Sequence, residues 1–188
     1  MKIVLLILFC GSCCTAIAQK KVYFSSNTNI GLLAGEAQTT TSFQTVNGIK
    51  IEKWRLGIGT GIDNYGIKSI PLIIDMMRDF GTKKWQQIVY ANGGLDFPLY
   101  NDYFRGTSTA NRFNNYTYKL YNSFCGEAGV GLSHSITKKC SLTITAGFSY
   151  KQLHYLEITN NNDVLGNKIN YDYHFYYNRL ALRVGIQF

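Results

Sequence analysis

Three histidines, His134, His154 and His174, are the side chains of this 188-residue chain whose chemistry best fits proton transfer or metal binding near neutral pH. His134 stands between two serines, in Ser133-His134-Ser135, which invites a nucleophile-and-base reading. Adjacent residues of an extended strand point to opposite faces, however, so neither serine shares a side with the imidazole. His154 and His174 can approach each other across the last hairpin, but no acidic residue on their face completes a triad, and two histidines alone make a weak metal site. The sequence therefore points to no catalytic residue, no cofactor and no bound metal. A second group of ionisable residues, Arg55, Asp63, Asp75, Asp96, Glu127, Lys151, Arg179 and Arg183, falls on the polar sides of alternating runs. If those sides line a narrow interior, these charges have to pair there.

The elements that place these residues are read from the alternation itself. In the last ten residues Leu180, Leu182, Val184, Ile186 and Phe188 share one face, and Arg179, Ala181, Arg183, Gly185 and Gln187 the other. A water-exposed edge strand with that apolar row would aggregate, whereas a strand that closes a transmembrane barrel turns it to lipid. Seven further runs precede it, at about 28–37, 41–50, 54–65, 69–80, 87–97, 120–136 and 140–153, separated by turn residues. Three glycines on one face of the third run, Gly57, Gly59 and Gly61, fit a crowded lumen. The expected fold is all-β: an eight-stranded antiparallel up-and-down transmembrane β-barrel. Two long polar loops are expected, Pro98 to Tyr118 and Glu157 to about Asn170, on the side away from the termini.

The first 18 residues read as a cleaved export signal: Lys2, the apolar run Ile3 to Phe9, and the small-x-small site Ala16-Ile17-Ala18. The barrel domain is then 19–188. A lipobox at Gly11-Ser12-Cys13 is the alternative, with Cys10 standing where leucine is usual. Three of the five cysteines leave with the signal, and hairpin geometry keeps Cys125 and Cys140 apart as two free thiols. The net charge of +8 falls to +7 without Lys2, and the remaining lysines come in pairs at turns, so a nucleic-acid partner is not expected.

In architecture the chain resembles the small eight-stranded barrels of the OmpA/OmpX type. It is closer still to the PorT-like outer-membrane β-barrel domain proteins, through Val46-Asn47-Gly48, the run from Leu56 to Asp63, Ser69-Ile70-Pro71-Leu72-Ile73-Ile74-Asp75 and the terminal Phe188. The resemblance implies location and fold rather than an activity, and it implies that Phe188 is read by the outer-membrane insertion machinery. Family members often carry an arginine two residues after the aspartate of the Pro-Leu segment; here Met77 holds that place and Arg78 follows.

The functional expectation is a monomeric protein of a Gram-negative outer membrane, in contact with lipid and lipopolysaccharide, with a structural or adhesive role. Its contact surface for an extracellular glycan or protein is expected in the first long loop: Tyr100, Tyr103, Phe104, Arg105, Arg112 and Tyr116. Tyr118, Tyr121, Tyr155, Tyr171, Tyr173, Phe175, Tyr176 and Tyr177 are expected to form an interfacial girdle. The alternatives are a lipid-modifying enzyme, which would use His154 or His174, and a soluble lipocalin-like barrel with the opposite polarity of its faces.

Overall fold

The structure is a computed structural model that describes residues 21–35, 38–65, 67–81, 84–99, 114–137, 139–161 and 168–188, with backbone alone for 114–118, 159–161 and 168–169. The expected signal, 1–18, lies outside these residues, as do Tyr100, Tyr103, Phe104, Arg105 and Arg112. Nine strand segments are described: β1 (Val22–Ala34), β2 (Thr39–Ile51), β3 (Trp54–Asn64), β4 (Lys68–Phe80), β5 (Trp85–Pro98), β6 (Asn114–Tyr121), β7 (Ser123–Ser135), β8 (Ser141–Asn161) and β9 (Lys168–Gln187). All pairings are antiparallel, and β9 bonds to both β1 and β8, so the sheet closes on itself.

Segments β6 and β7 make one stave. Tyr121 is opposite His154 and Cys125 is opposite Lys151, so one extra residue sits on the β6–β7 side, a β-bulge around Asn122. Ser123 donates to the carbonyl of Gln152 there, at 2.6 Å. The barrel is thus eight-stranded. Phe24 faces Ile49, and the row runs on through Leu56, Met76, Ala91, Ala128, Phe148 and Leu180. It returns to β1 at Ala34, ten residues beyond its start. That stagger tilts the strands by roughly 40° and leaves an interior that side chains can fill.

The two faces separate as the alternation requires. Outward stand Ile30, Leu32, Phe43, Leu56, Ile58, Leu72, Ile74, Val89, Val130, Ile144, Phe148, Leu180, Leu182 and Val184, all exposed. Among the described residues, four cations and five carboxylates stand inward and buried, together with Ser, Thr, Asn and Gln. A soluble barrel needs the reverse, so the apolar belt marks a protein that spans a membrane. At the end that carries both termini, Trp54 and Phe80 flank the outward-facing Arg78 at 4.8 and 4.9 Å, and the Trp85 ring packs at a tilt against His134, in the manner of an interfacial girdle. Cys125 is buried and Cys140 partly so, and both are free.

Several boundaries differ from those read in the sequence. Strand β1 begins six residues earlier, and β6 starts at Asn114, inside the expected first loop. The expected second loop is mostly paired strand: Glu157 is opposite Tyr171, Ile158 opposite Asn170 and Asn160 opposite Lys168. Strands β8 and β9 have 21 and 20 residues, about twice the 9–11 that cross a bilayer. Their far halves, with β6 beside them, stand clear of the barrel as a three-stranded outer sheet.

The inward glycines give way to larger neighbours. A Cβ on Gly59 would lie 2.8 Å from Val46 Cγ2 and 2.9 Å from Ile73 Cγ1, and one on Gly57 2.7 Å from Val46 Cγ1. The ring of Tyr90 lies across Gly129 and Gly147, which pair with each other. Replacing Gly147 with alanine puts a methyl group against the Tyr90 hydroxyl and 2.7 Å from the Ala128 carbonyl. We expect G147A to lower stability by about 1–3 kcal/mol, the usual cost of overpacking, read from urea unfolding in detergent micelles. A midpoint equal to that of the wild type would show that the lumen has slack at Tyr90.

Candidate functional site

Two places gather polar chemistry: the lumen and the outer sheet. The lumen charges form three tiers along the barrel axis. Nearest the termini, Arg55 pairs with Asp79 and donates to Gln187, while Lys50 reaches the other oxygen of Asp79 at 2.8 Å. Asp75 lies in the same tier, facing Arg55 and accepting from Asn92. In the middle tier Arg183 grips Glu127 with two bonds, Nη2 to Oε2 at 2.6 Å and Nε to Oε1 at 3.1 Å, and Tyr90 donates to the same carboxylate at 2.7 Å. In the far tier Lys151 pairs with Asp96 at 2.9 Å and donates to Ser69, while Arg179 donates to Thr40 at 2.6 Å. Asp63 is buried and lies within electrostatic reach of Lys151 and Arg183.

Asp79 was hidden in the sequence by its turn-like surroundings, Asp79-Phe80-Gly81, and was not expected in the network. The signal that could have found it is parity, since Ser69, Pro71, Ile73, Asp75, Met77 and Asp79 alternate along one face of β4. Met77 faces inward and Arg78 outward, so the guanidinium that acts on Asp75 comes from β3, at Arg55, and not from its own strand.

Tyr65 closes the lumen at the far end. It sits in the β3–β4 turn, 3% exposed, and hydrogen-bonds Ser149. Lys151 Nζ and Arg179 Cζ each lie 4.7 Å from its ring centre. Burial holds its phenol well above the ordinary value. Below this roof the space between side chains breaks into separate cavities of about 10–20 Å³, each large enough for roughly one water.

Above the roof the outer sheet carries different residues on its two faces. The face continuous with the lumen bears a file of rings. Tyr177 is 6.1 Å from Tyr65, Phe175 is 6.3 Å from Tyr177, Tyr173 is 6.2 Å from Phe175, and Tyr171 is 6.4 Å from Tyr173. Tyr155 stacks on Tyr173 at 5.0 Å and on Phe175 at 5.8 Å. The sequence led us to expect these five residues at the membrane interface; the register instead turns them to the opposite side from the lipid-facing row. Tyr176 and Tyr121 do fall on the outward face. Tyr116 pairs with Thr159 in β6, away from the loop in which it was expected.

On the outward face His154 and His174 are direct cross-strand partners with rings stacked at 4.1 Å. The expectation that they lack an acidic neighbour is wrong. Asp172 lies two residues before His174 on the same face, with its carboxylate 2.7 Å from His154 Nε2 and 3.6 Å from His174 Nε2. The parity signal was present in the sequence, since Asp172 and His174 stand two residues apart within the run that follows the expected loop. Ser133 is buried in the lumen while His134 packs outside against Trp85, so that pair makes no dyad. Phe188 points outward, and its backbone exchanges two hydrogen bonds with Ser26, of 2.8 and 3.1 Å.

No family model matches the sequence, and no curated protein matches it at a significant level. Among solved structures the chain is similar to a major outer membrane protein from Thermus thermophilus. The identity is 15% and the TM-score 0.56, over 89% of this chain and 98% of that one. Neisserial surface protein A matches at 16% identity and a TM-score of 0.49, over 88% of this chain and 95% of that one. The first likeness is one of fold, a closed antiparallel barrel of eight strands.

The middle tier of the lumen can be tested directly. Removing the carboxylate in Glu127→Ala leaves Arg183 charged and buried without its two-bond partner, and we expect a loss of about 3–5 kcal/mol in micelle unfolding. Replacing both members with apolar residues of similar size should restore most of that stability. A single variant as stable as the wild type would show that water already reaches Arg183.

Proposed function

We propose that this chain is an integral outer-membrane barrel, closed to ions, whose task is surface binding or adhesion by the part that stands above the lipid. The observation that carries this reading is the outer sheet. Crossing the bilayer accounts for about half of β8 and β9, and the other half presents stacked aromatic rings. Exposed aromatic rows on rigid strands are a usual feature of recognition surfaces, because two-angle side chains lose little freedom on binding. The occupant we propose is an extracellular glycan or protein, with the loop from Tyr100 to Arg112 adding to the same surface. The far end is then the outside of the cell, and the end with the termini faces the periplasm, as the expected export signal and an insertion role for Phe188 require. The kinship with PorT-like proteins is part of this proposal, carried by the run from Leu56 to Asp63 and the Ser69 to Asp75 segment. Catalysis has less support, since the histidines stand on an exposed strand face with no nucleophile among the described residues beside them.

Two measurements test it. In planar bilayers the purified barrel should show no steady unitary conductance, and stable open steps would contradict the tiered, roofed lumen. On cells, Tyr173→Ser combined with Phe175→Ser should abolish adhesion to immobilised glycan or matrix protein while the heat-dependent gel shift of the folded barrel persists. Adhesion undiminished in that variant would refute the proposed surface.

A further inference from the structure

We propose that His154, His174 and Asp172 form a surface site for a divalent transition-metal ion, with Zn²⁺ the ion that suits the donors best, tying β8 to β9 above the membrane. The three side chains come from two strands and converge on the outward face of the outer sheet. One donor atom from each lies within 4.8 Å of the others. Asp172 spans the pair, with Oδ1 2.7 Å from His154 Nε2 and Oδ2 3.6 Å from His174 Nε2. Three ligands around one tetrahedral ion at bond lengths of about 2.0–2.2 Å lie roughly 3–3.6 Å apart, so small side-chain rotations bring this set to ligation distance. The stacked imidazoles, now inclined at 15°, open so that both Nε2 lone pairs meet the ion.

The donor set selects the ion class. Two imidazoles and one carboxylate suit Zn²⁺, Cu²⁺ or Ni²⁺, whereas Ca²⁺ and Mg²⁺ require an oxygen shell. Position favours binding as well. His154 is 31% and His174 53% exposed on their side chains, so an ion reaches them without opening the barrel, and a fourth position is left for water or an external donor. The histidines are held in register by the β8–β9 ladder, and Tyr121 stacks on His154 at 4.4 Å. On the same face Lys119 Nζ lies 5.1 Å over the Tyr121 ring. The other histidine and the cysteines described, His134, Cys125 and Cys140, sit in the lumen or at the opposite end and cannot join the set, and Glu157, opposite Tyr171, falls on the other face of the outer sheet. An ion here adds a cross-strand link where the hairpin has left both lipid and lumen, independently of what the aromatic face binds.

The test uses the mature chain in detergent micelles, carrying a tag free of histidine and titrated calorimetrically with ZnCl₂, NiCl₂, CaCl₂ and MgCl₂. We expect one Zn²⁺ per chain and no binding of Ca²⁺ or Mg²⁺. His154→Ala, His174→Ala and Asp172→Asn should each weaken Zn²⁺ by at least about tenfold, the scale on which even outer-shell partners act. The heat-dependent gel shift shows that each variant keeps its barrel. X-ray absorption of the Zn²⁺-loaded wild type, which needs no variant, should show a nitrogen and oxygen shell with imidazole scattering at about 2.0–2.1 Å. Absence of Zn²⁺ binding, binding that survives when His154→Ala and His174→Ala are combined in one chain, or a sulfur shell at about 2.3 Å would each overturn the site.

Discussion

Closure of the sheet is the constraint on which everything else in this protein rests. Hydrocarbon supplies no partner for a backbone amide, so the ladder has to return to its first strand, and β9 does so by bonding β1 along eight residue pairs. A ten-residue stagger over eight strands then fixes the width of the lumen. That width is too small for water to solvate charges singly and too large for backbone alone to fill. The lumen residues answer both demands. Arginines and lysines pair with carboxylates in tiers, and glycines stand wherever Val46, Ile73 or Tyr90 needs the room.

The pairing has directional consequences. Arg183 and Glu127 link β9 to β7 across the lumen, Arg55 and Asp79 join neighbouring strands, and Lys151 on β8 reaches Asp96 on β5. Tyr65 takes the top of this stack, with two cations against its ring. From there a file of aromatic residues leaves the barrel along β9. The charge-filled interior and the aromatic outer face are therefore one continuous surface, and its chemistry changes where lipid ends.

The membrane-embedded half was legible in the sequence because lipid on one side and a polar lumen on the other impose a period of two. The run Trp54 to Asp63 shows its faces residue by residue, as does Arg179 to Phe188. The outer half was not legible for the same reason. Beyond the lipid both faces meet water, so Asn160, Asn161 and Lys168 carry no alternation, although they belong to regular strands. Asp172 was legible by parity with His174, two residues on, but His154 and His174 drew the attention and their acidic neighbour did not. The bulge near Asn122 was equally silent, since a one-residue shift leaves no mark in composition. It reverses parity between β6 and β7, which puts Leu120 on the lumen-side face and Phe124 outside.

The length of the last hairpin also has a mechanical meaning. The outer sheet is continuous with the strands that close the barrel, and β8 and β9, paired over twenty residue positions, move as one unit under load. A pull along the strands therefore loads the β7–β8 and β1–β9 ladders, each in shear along its length, rather than opening them one hydrogen bond after another from an end. The polar tiers beneath, which clamp β8 and β9 to β5 and β7, spread that force over the rest of the wall. A handle of this kind is anchored by the whole circumference of the barrel and not by a single loop at its rim.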